Sequence, residues 1–144
     1  MQRKHVVVTD AGSGIGRAIA LRLARDGATL TLLARGRTGW RRRRRRWRGA
    51  RASRAATFAP RGVQVNAICP GWVDTDMARQ GLDAAAAETG GTRQGAYRDA
   101  MKQVPLGRMS QPEDIAGTVA WLLSPDARGV AGQAIDQNGG AWTG

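Results

Sequence analysis

Residues 6–16 have the sequence VVVTDAGSGIG, an apolar run that breaks into a glycine-rich loop. The β-branched residues ahead of the loop predict a strand that is buried on both faces. From Ile15 onward, apolar residues recur at helical spacing until Asp26. The stretch is therefore typical of a strand, loop and helix in which glycines bring the backbone close to a phosphate. The first N–H groups of such a helix favour an anion.

Residues 28–34 predict a second strand directly after this helix, which completes a βαβ unit. In dinucleotide-binding folds the residue after this strand contacts the adenosine ribose, and a basic residue such as Arg35 suits a 2′-phosphate there. We expect a parallel α/β sheet and a preference for NADP(H) over NAD(H). A glycine-rich turn that binds nothing is the alternative, because Asp10 adds a side chain and a negative charge to the loop.

The glycine loop resembles the threonine-glycine-x-x-x-glycine-isoleucine-glycine signature of the short-chain dehydrogenase/reductase family, with Asp10 in place of the first glycine. A longer run, GVQVNAICPGWVDTDM at residues 62–77, resembles the sixth strand and the proline-glycine loop of the same family. The resemblance covers residues 1–37 and 58–144 and is nearest to 3-oxoacyl thioester and polyketide ketoreductases. It implies an α/β fold with an incomplete Rossmann-type, doubly wound parallel sheet.

The resemblance also implies two groups of cofactor contacts. The first lies in the glycine loop and after the second strand, and the second lies in the proline-glycine loop, which holds the nicotinamide end in this family. The residues are Thr9, Gly12, Ser13, Gly14, Ile15, Gly16 and Arg35 in the first group, and Pro70, Gly71, Val73 and Thr75 in the second. Because Asp10 stands beside the expected diphosphate, we expect NADP(H) binding to be weak or lost.

The family's catalytic serine and its Tyr-x-x-x-Lys pair have no counterpart in the sequence. In the family the tyrosine delivers a proton to the developing alkoxide, and the lysine lowers its pKa. Here Lys102 follows Tyr97 at five positions rather than the four that align two residues on a helix. We therefore assign no catalytic residue. The sequence indicates a reductase of carbonyls or alcohols by descent, and a remnant that lacks catalysis.

Most of the net charge of +12 comes from one segment. Ten arginines and no acidic residue lie between Arg37 and Arg54, which leaves about +2 for the rest of the chain. Residues 38–57 show no apolar periodicity, so we predict a disordered, low-complexity seam. A solvated basic loop and the product of a deletion, frameshift or gene-model error are two interpretations. The third is a non-catalytic nucleic-acid-binding protein that uses the Arg41–Arg48 tract.

The seam divides the chain into an N-terminal dinucleotide-binding half, residues 1–37, and a C-terminal half, residues 58–144. The C-terminal half contains a substrate lid over residues 82–101 and a last helix, for which residues 110–113 predict a capping box. The family's third, fourth and fifth strands, with their helices, form the central third of its fold; they are missing from this sequence, and the seam stands in their place. Its strand order is 3-2-1-4-5-6-7, so the first and sixth strands are not neighbours, and we expect uncovered edges and low stability.

Several other classes of site receive no support. One cysteine and one histidine exclude a disulfide framework and a Cys/His metal site, and we expect Cys69 to pack as a small apolar residue. Asp74 and Asp76 are not assigned to a metal, since no further carboxylates cluster with them. The sequence shows no targeting signal or membrane span, so we expect a cytoplasmic protein. The family's habit suggests a homo-oligomer with a small-molecule substrate, which the sequence does not identify.

Overall fold

The structure, a computed structural model, describes residues 5–33 and 56–142. Arg35 and the Arg41–Arg48 tract lie outside these ranges. The structure therefore does not test the predicted disorder around this tract or the nucleic-acid-binding alternative. The main elements in chain order are β1 (His5–Thr9), α1 (Gly14–Arg25), β2 (Thr29–Leu33), β3 (Ala67–Pro70), α2 (Asp76–Thr89), α3 (Arg93–Met101), α4 (Pro112–Leu122) and β4 (Ala134–Gln137). The predicted βαβ start and the predicted last helix are both present.

The strands form parallel pairs. In the first pair His5 of β1 is opposite Thr29 of β2, and in the second pair Ala67 of β3 is opposite Ala134 of β4. Within the described ranges these are two separate two-stranded sheets, and β1 does not pair with β3. The α/β class with parallel strands flanked by helices is confirmed, and the first and sixth strands of the family's order do not close on each other.

Helices α1 and α4 pack against each other and join the two halves of the chain. Leu23 of α1 is fully buried, and it clusters with Val8, Ala20 and Ala120, the last of which belongs to α4. The helical periodicity seen after the glycine loop therefore produces the apolar face that holds the halves together. Val7, on the other face of β1, is 60% exposed, so that face is open to solvent.

A second apolar cluster lies wholly within residues 56–142. Leu82 of α2 and Met101 of α3 are buried with Val104 and Met109, which follow α3 along the chain. Both helices begin at a threonine N-cap. The Thr92 hydroxyl accepts a hydrogen bond from the Gly95 N–H at 3.1 Å. The predicted lid is thus a packed helical pair.

Strand β3 is shorter than the sequence predicts. We expected a strand over residues 63–68, but residues 63–66 precede the ladder. The side-chain amides of Gln64 and Asn66 donate to the Val130 carbonyl at 2.9 and 2.8 Å. These polar side chains, together with the Gly132 N–H, which donates to the Val65 carbonyl at 2.8 Å, tie the segment to the loop before β4.

The start of α4 also differs from the expected capping box. The N-cap is Gln111, and its N–H donates to the Asp114 carboxylate at 2.8 Å. The acidic residue of the box is therefore Asp114 rather than Glu113. The physical reason is that Pro112 occupies the first helical position, so the residue before it, Gln111, is the N-cap in place of Ser110.

Candidate cofactor-binding site

The glycine loop contains one residue other than glycine in a conformation that favours glycine. Asp10 has φ +54°, in the left-handed region that side chains other than those of aspartate and asparagine strongly disfavour. This is the position at which the related signature carries its first glycine. The loop therefore keeps the turn geometry of the signature although the residue has changed.

Two further glycines are required by close contacts. A Cβ atom on Gly16 would lie 2.3 Å from the carbonyl oxygen of Asp10, so a side chain there would push α1 away from the loop. Gly14 has φ +49°, and a Cβ atom on it would lie 3.3 Å from Cγ2 of Thr75. The glycine loop thus packs directly on the segment that follows the proline-glycine loop.

The N-termini of α1, α2 and α4 surround a cavity of about 180 Å³. The first N–H groups of a helix have no partner within the helix, and together with the helix dipole they attract anions. Gly14 and Thr75, predicted from different halves of the chain, both line this cavity. The lining residues are Gly14, Arg17, Ala18, Asp74, Thr75, Asp76, Arg79, Pro112 and Glu113.

The charges in this cavity are mixed. Arg79 donates to the carboxylates of Asp74 and Asp76, at 2.9 Å in the second case. The hydrogen bond to Asp76 and the charge of Asp74 raise the pKa of the Arg79 guanidinium above its ordinary value. Asp74 and Asp76 are therefore bound to an arginine. Because these carboxylates already hold Arg79, Arg17 of α1 supplies the cationic side chain that an anion in the cavity could use.

The proline-glycine loop is held by backbone contacts. A Cβ atom on Gly71 would lie 2.8 Å from the Cα atom of Asn138, so glycine is needed where the chain after β4 crosses this loop. Val73 is 5% exposed, and its carbonyl accepts a hydrogen bond from the Thr75 hydroxyl at 3.3 Å. Its N–H makes no hydrogen bond within the described residues. The Val73 side chain is thus part of the buried core.

The structure brings part of the predicted site together. Gly14 and Thr75 are in contact, and Ser13 is the N-cap of α1. Ile15 and Pro70 line a different, apolar cavity between β1 and β3. Arg17 and Arg79 were missed, although their helical spacing from Gly14 and Thr75 places each one turn further along its helix.

The Tyr97 side chain does not line this cavity but lines a neighbouring pocket that shares Asp74 and Arg79 with it. It is half-buried on α3 and lines a pocket of about 460 Å³ with Leu82 and Met109. Lys102, the nearest lysine in sequence, donates to the Asp99 carboxylate at 2.6 Å and lowers the pKa of that carboxyl. In residues 5–33 and 56–142, no helix is long and apolar enough to cross a membrane.

Comparisons with known proteins concern the family and the fold of the chain. The family model described as enoyl-(acyl carrier protein) reductase matches residues 48–141. The putative ketoacyl reductase of the monensin polyketide synthase from Streptomyces virginiae is 39% identical over 83 residues, which are 58% of this chain and 32% of that protein. The 3-oxoacyl-[acyl-carrier-protein] reductase of Vibrio cholerae is 36% identical over 94 residues, 65% of this chain and 34% of that protein.

The chain spans about a third of the length of the curated relatives it matches. Among solved structures, a variant of the actinorhodin polyketide ketoreductase with NADPH superposes with a TM-score of 0.83 and 19% identity. The superposition covers 98% of this chain and 99% of that one. This likeness shows a shared Rossmann-like fold. Together with the family match over most of the sequence, it identifies the chain as a member of the short-chain dehydrogenase/reductase family.

Proposed function

We propose that the chain binds NADP(H), with the diphosphate in the cavity between the N-termini of α1, α2 and α4, and that it does not reduce a carbonyl by itself. The observation that carries the proposal is that Gly14 and Thr75 line the same cavity and lie so close that a Cβ atom on Gly14 would touch Thr75. These residues belong to the two cofactor motifs of the family and come from different halves of the chain. Their proximity supports a cofactor cradle formed in spite of the separated sheets.

The described residues offer a diphosphate the N–H groups of three helix N-termini and the Arg17 side chain, against the carboxylates of Asp74, Asp76 and Glu113 in the same cavity. The left-handed turn at Asp10 and the close approach of Gly16 keep the loop backbone near the start of α1. Arg17 provides a positive charge, and the Val73 N–H is suited to a carboxamide oxygen. Arg35 is our candidate for the 2′-phosphate, on the basis of its position in the sequence alone. When bound, NADPH supplies the hydride for carbonyl reduction.

Among the described residues we assign no donor of the proton for that reduction. Tyr97 lies on α3 in a pocket that adjoins the cavity at Asp74 and Arg79, but Lys102 donates to Asp99 rather than to Tyr97. Loss of a positioned general acid costs about 10² to 10⁴ in rate. We therefore infer that this chain is a remnant of a carbonyl reductase that retains cofactor binding. We further propose that it is divided at residues 38–57 and that it is cytoplasmic.

The direct test is a titration with NADPH, followed by the fluorescence of the reduced nicotinamide. We expect saturable binding in the wild-type chain, and a loss of at least about tenfold in affinity for Gly14→Ala, because of its positive φ and its contact with Thr75. Gly81→Ala is the matched control, since Gly81 lies on α2 with nothing within 4 Å of its Cβ position. Equal affinities of the two variants, or no binding by a chain that melts cooperatively, would contradict the proposal.

A second measurement separates binding from catalysis. Consumption of NADPH in the presence of a 3-oxoacyl thioester is expected to stay at the background rate, because no tyrosine of the described residues is paired with a lysine that would help it deliver the proton. A rate within about a hundredfold of a complete family member under the same conditions would refute the claim of lost catalysis. NADH should bind as well as NADPH in Arg35→Ala if Arg35 reads the 2′-phosphate.

A further inference from the structure

The space between the two strand pairs forms an apolar slot of about 650 Å³. Its floor consists of Ile19 from α1 and Val119 from α4, and its walls include Val6 of β1 and Ile68 of β3. None of the residues that line it is charged. It is more than three times the volume of the anion cavity at the helix N-termini.

The two walls of the slot are strand edges that run in the same direction. Val6, near the start of β1, shares the slot with residues 62–64, which precede β3. At the other end of the strands, the residues that follow β1 and β3 meet where Gly14 contacts Thr75. Both strands therefore lead from one end of the slot to the other with the same polarity.

The wall formed by β3 offers a main-chain donor. The N–H groups of Ala67 and Gly71 donate to Gln133 and Gln137, at 2.8 and 3.1 Å. Successive N–H groups of a strand point to opposite edges, so the Ile68 N–H points away from β4 and toward the slot. Within the described ranges, no second strand pairs with β3 or with β1.

We propose that the slot binds an extended, uncharged β-strand of another polypeptide, with apolar side chains at alternate positions, running parallel to β1 and β3. Strand edges select main chain as the occupant, and the apolar floor selects one apolar face. The chain's own residues 34–55 are unsuited by charge, since ten arginines and no alternating apolar run occur between Arg37 and Arg54. A strand from a second chain is therefore the occupant that matches the slot in both hydrogen bonding and charge.

The test uses the full chain and a fluorescein-labelled heptapeptide of alternating threonine and valine, with binding followed by fluorescence anisotropy. We expect saturable binding that is abolished when the central valine of the peptide is proline, because proline removes a strand donor. Val63→Glu, which places a charge at the slot, should weaken binding at least about tenfold. Val7→Glu is the matched control, because Val7 and Val63 are exposed by 60% and 49% but only Val63 lines the slot.

Amide hydrogen exchange gives a second readout that does not depend on the variants. Saturating peptide should slow exchange of the Ile68 N–H at least about tenfold and leave amides of α3 unchanged. The proposal is overturned by no anisotropy change up to about millimolar peptide, by unaltered exchange at Ile68, or by equal effects of Val63→Glu and Val7→Glu. It is also overturned if sedimentation shows a dimer in which Ile68 is already protected, since a second copy would then fill the slot.

Discussion

The two halves of the molecule use the same parallel strand pairing but obtain their cores in different ways. The buried residues Val8, Ala20 and Leu23 of the N-terminal half pack with Ala120, which belongs to the C-terminal half. The lid cluster of the C-terminal half, which includes Leu82 and Met101, draws all its members from residues 56–142. The comparison teaches that the cofactor loop depends on α4 for its stability, whereas the lid helices depend on each other.

The largest expected effect comes from the core that is shared between the halves. Leu23 is fully buried, so Leu23→Ala should reduce the free energy of unfolding by about 3 kcal/mol, through lost apolar burial and a cavity. Urea unfolding measures the loss, and amide exchange locates it. Residues 5–33 should lose protection while α2 and α3 keep theirs. Uniform loss of protection across the chain would mean that the halves do not differ in this way.

The reciprocal change is made in the lid cluster. Met101 is 7% exposed, and Met101→Ala should cost about 2 kcal/mol, near the lower end for such truncations. Here amide exchange should become faster in α2 and α3, and β1 should be unaffected. Loss of protection in β1 as well would show that the lid also supports the N-terminal half.

A smaller effect, of the opposite sign, is expected in the glycine loop. Asp10→Gly removes a left-handed side-chain residue and should stabilise the chain by about 0.5 to 1 kcal/mol in thermal unfolding. Asp10→Asn removes the charge but keeps a residue that tolerates the conformation. If charge weakens NADPH binding, both variants should bind more tightly, whereas an effect in Asp10→Gly alone would assign the defect to conformation.

The smallest effect concerns the ion pair that ties α2 to α3. The Arg93 guanidinium donates to Asp83 at 2.6 Å, and this hydrogen bond holds the pKa of the Asp83 carboxyl below its ordinary value. A lowered folded-state pKa stabilises the protein above the unfolded pKa of about 3.9, and this stabilisation is lost as the pH falls through the folded value.

Asp83→Asn should therefore lower the melting temperature slightly at neutral pH, and this effect should shrink as the pH falls through the lowered folded-state pKa of the carboxyl. The matched control is Asp126→Asn, because Asp126 is exposed and lies outside this ion pair. An equal shift in both variants, or a shift that persists in acid, would show that the ion pair between Asp83 and Arg93 does not stabilise the fold.

Much of the N-terminal fold could be predicted from local sequence. The β-branched run before the loop and the apolar periodicity after Ile15 place β1 and α1 correctly, since both patterns depend on residues a few positions apart. The last helix, α4, was likewise predicted from local sequence, but its N-cap is Gln111 rather than Ser110. The reason is that Pro112 is the first residue of the helix.

Features formed between distant segments could not be predicted. The short length of β3 follows from hydrogen bonds of Gln64 and Asn66 to residues more than sixty positions away. Arg79 binds Asp74 and Asp76 across the start of α2, and nothing in the pattern of the three residues required that geometry. The proximity of Gly14 to Thr75 depends on the packing of segments that are about sixty residues apart, which neither motif encodes by itself.

The crossing of Asn138 over Gly71 also bears on the order of events during synthesis. The Gly71 N–H donates to the Gln137 carbonyl, and β3 has β4 as its strand partner. The ribosome makes residues 70–75 long before residues 134–138, so the turn that includes Val73 must wait for them with its backbone hydrated. The glycine loop and the start of α1, made first, must also wait for α4. The cofactor cradle is therefore assembled only after α4 and β4 have been synthesised, when both cofactor motifs have already left the ribosome.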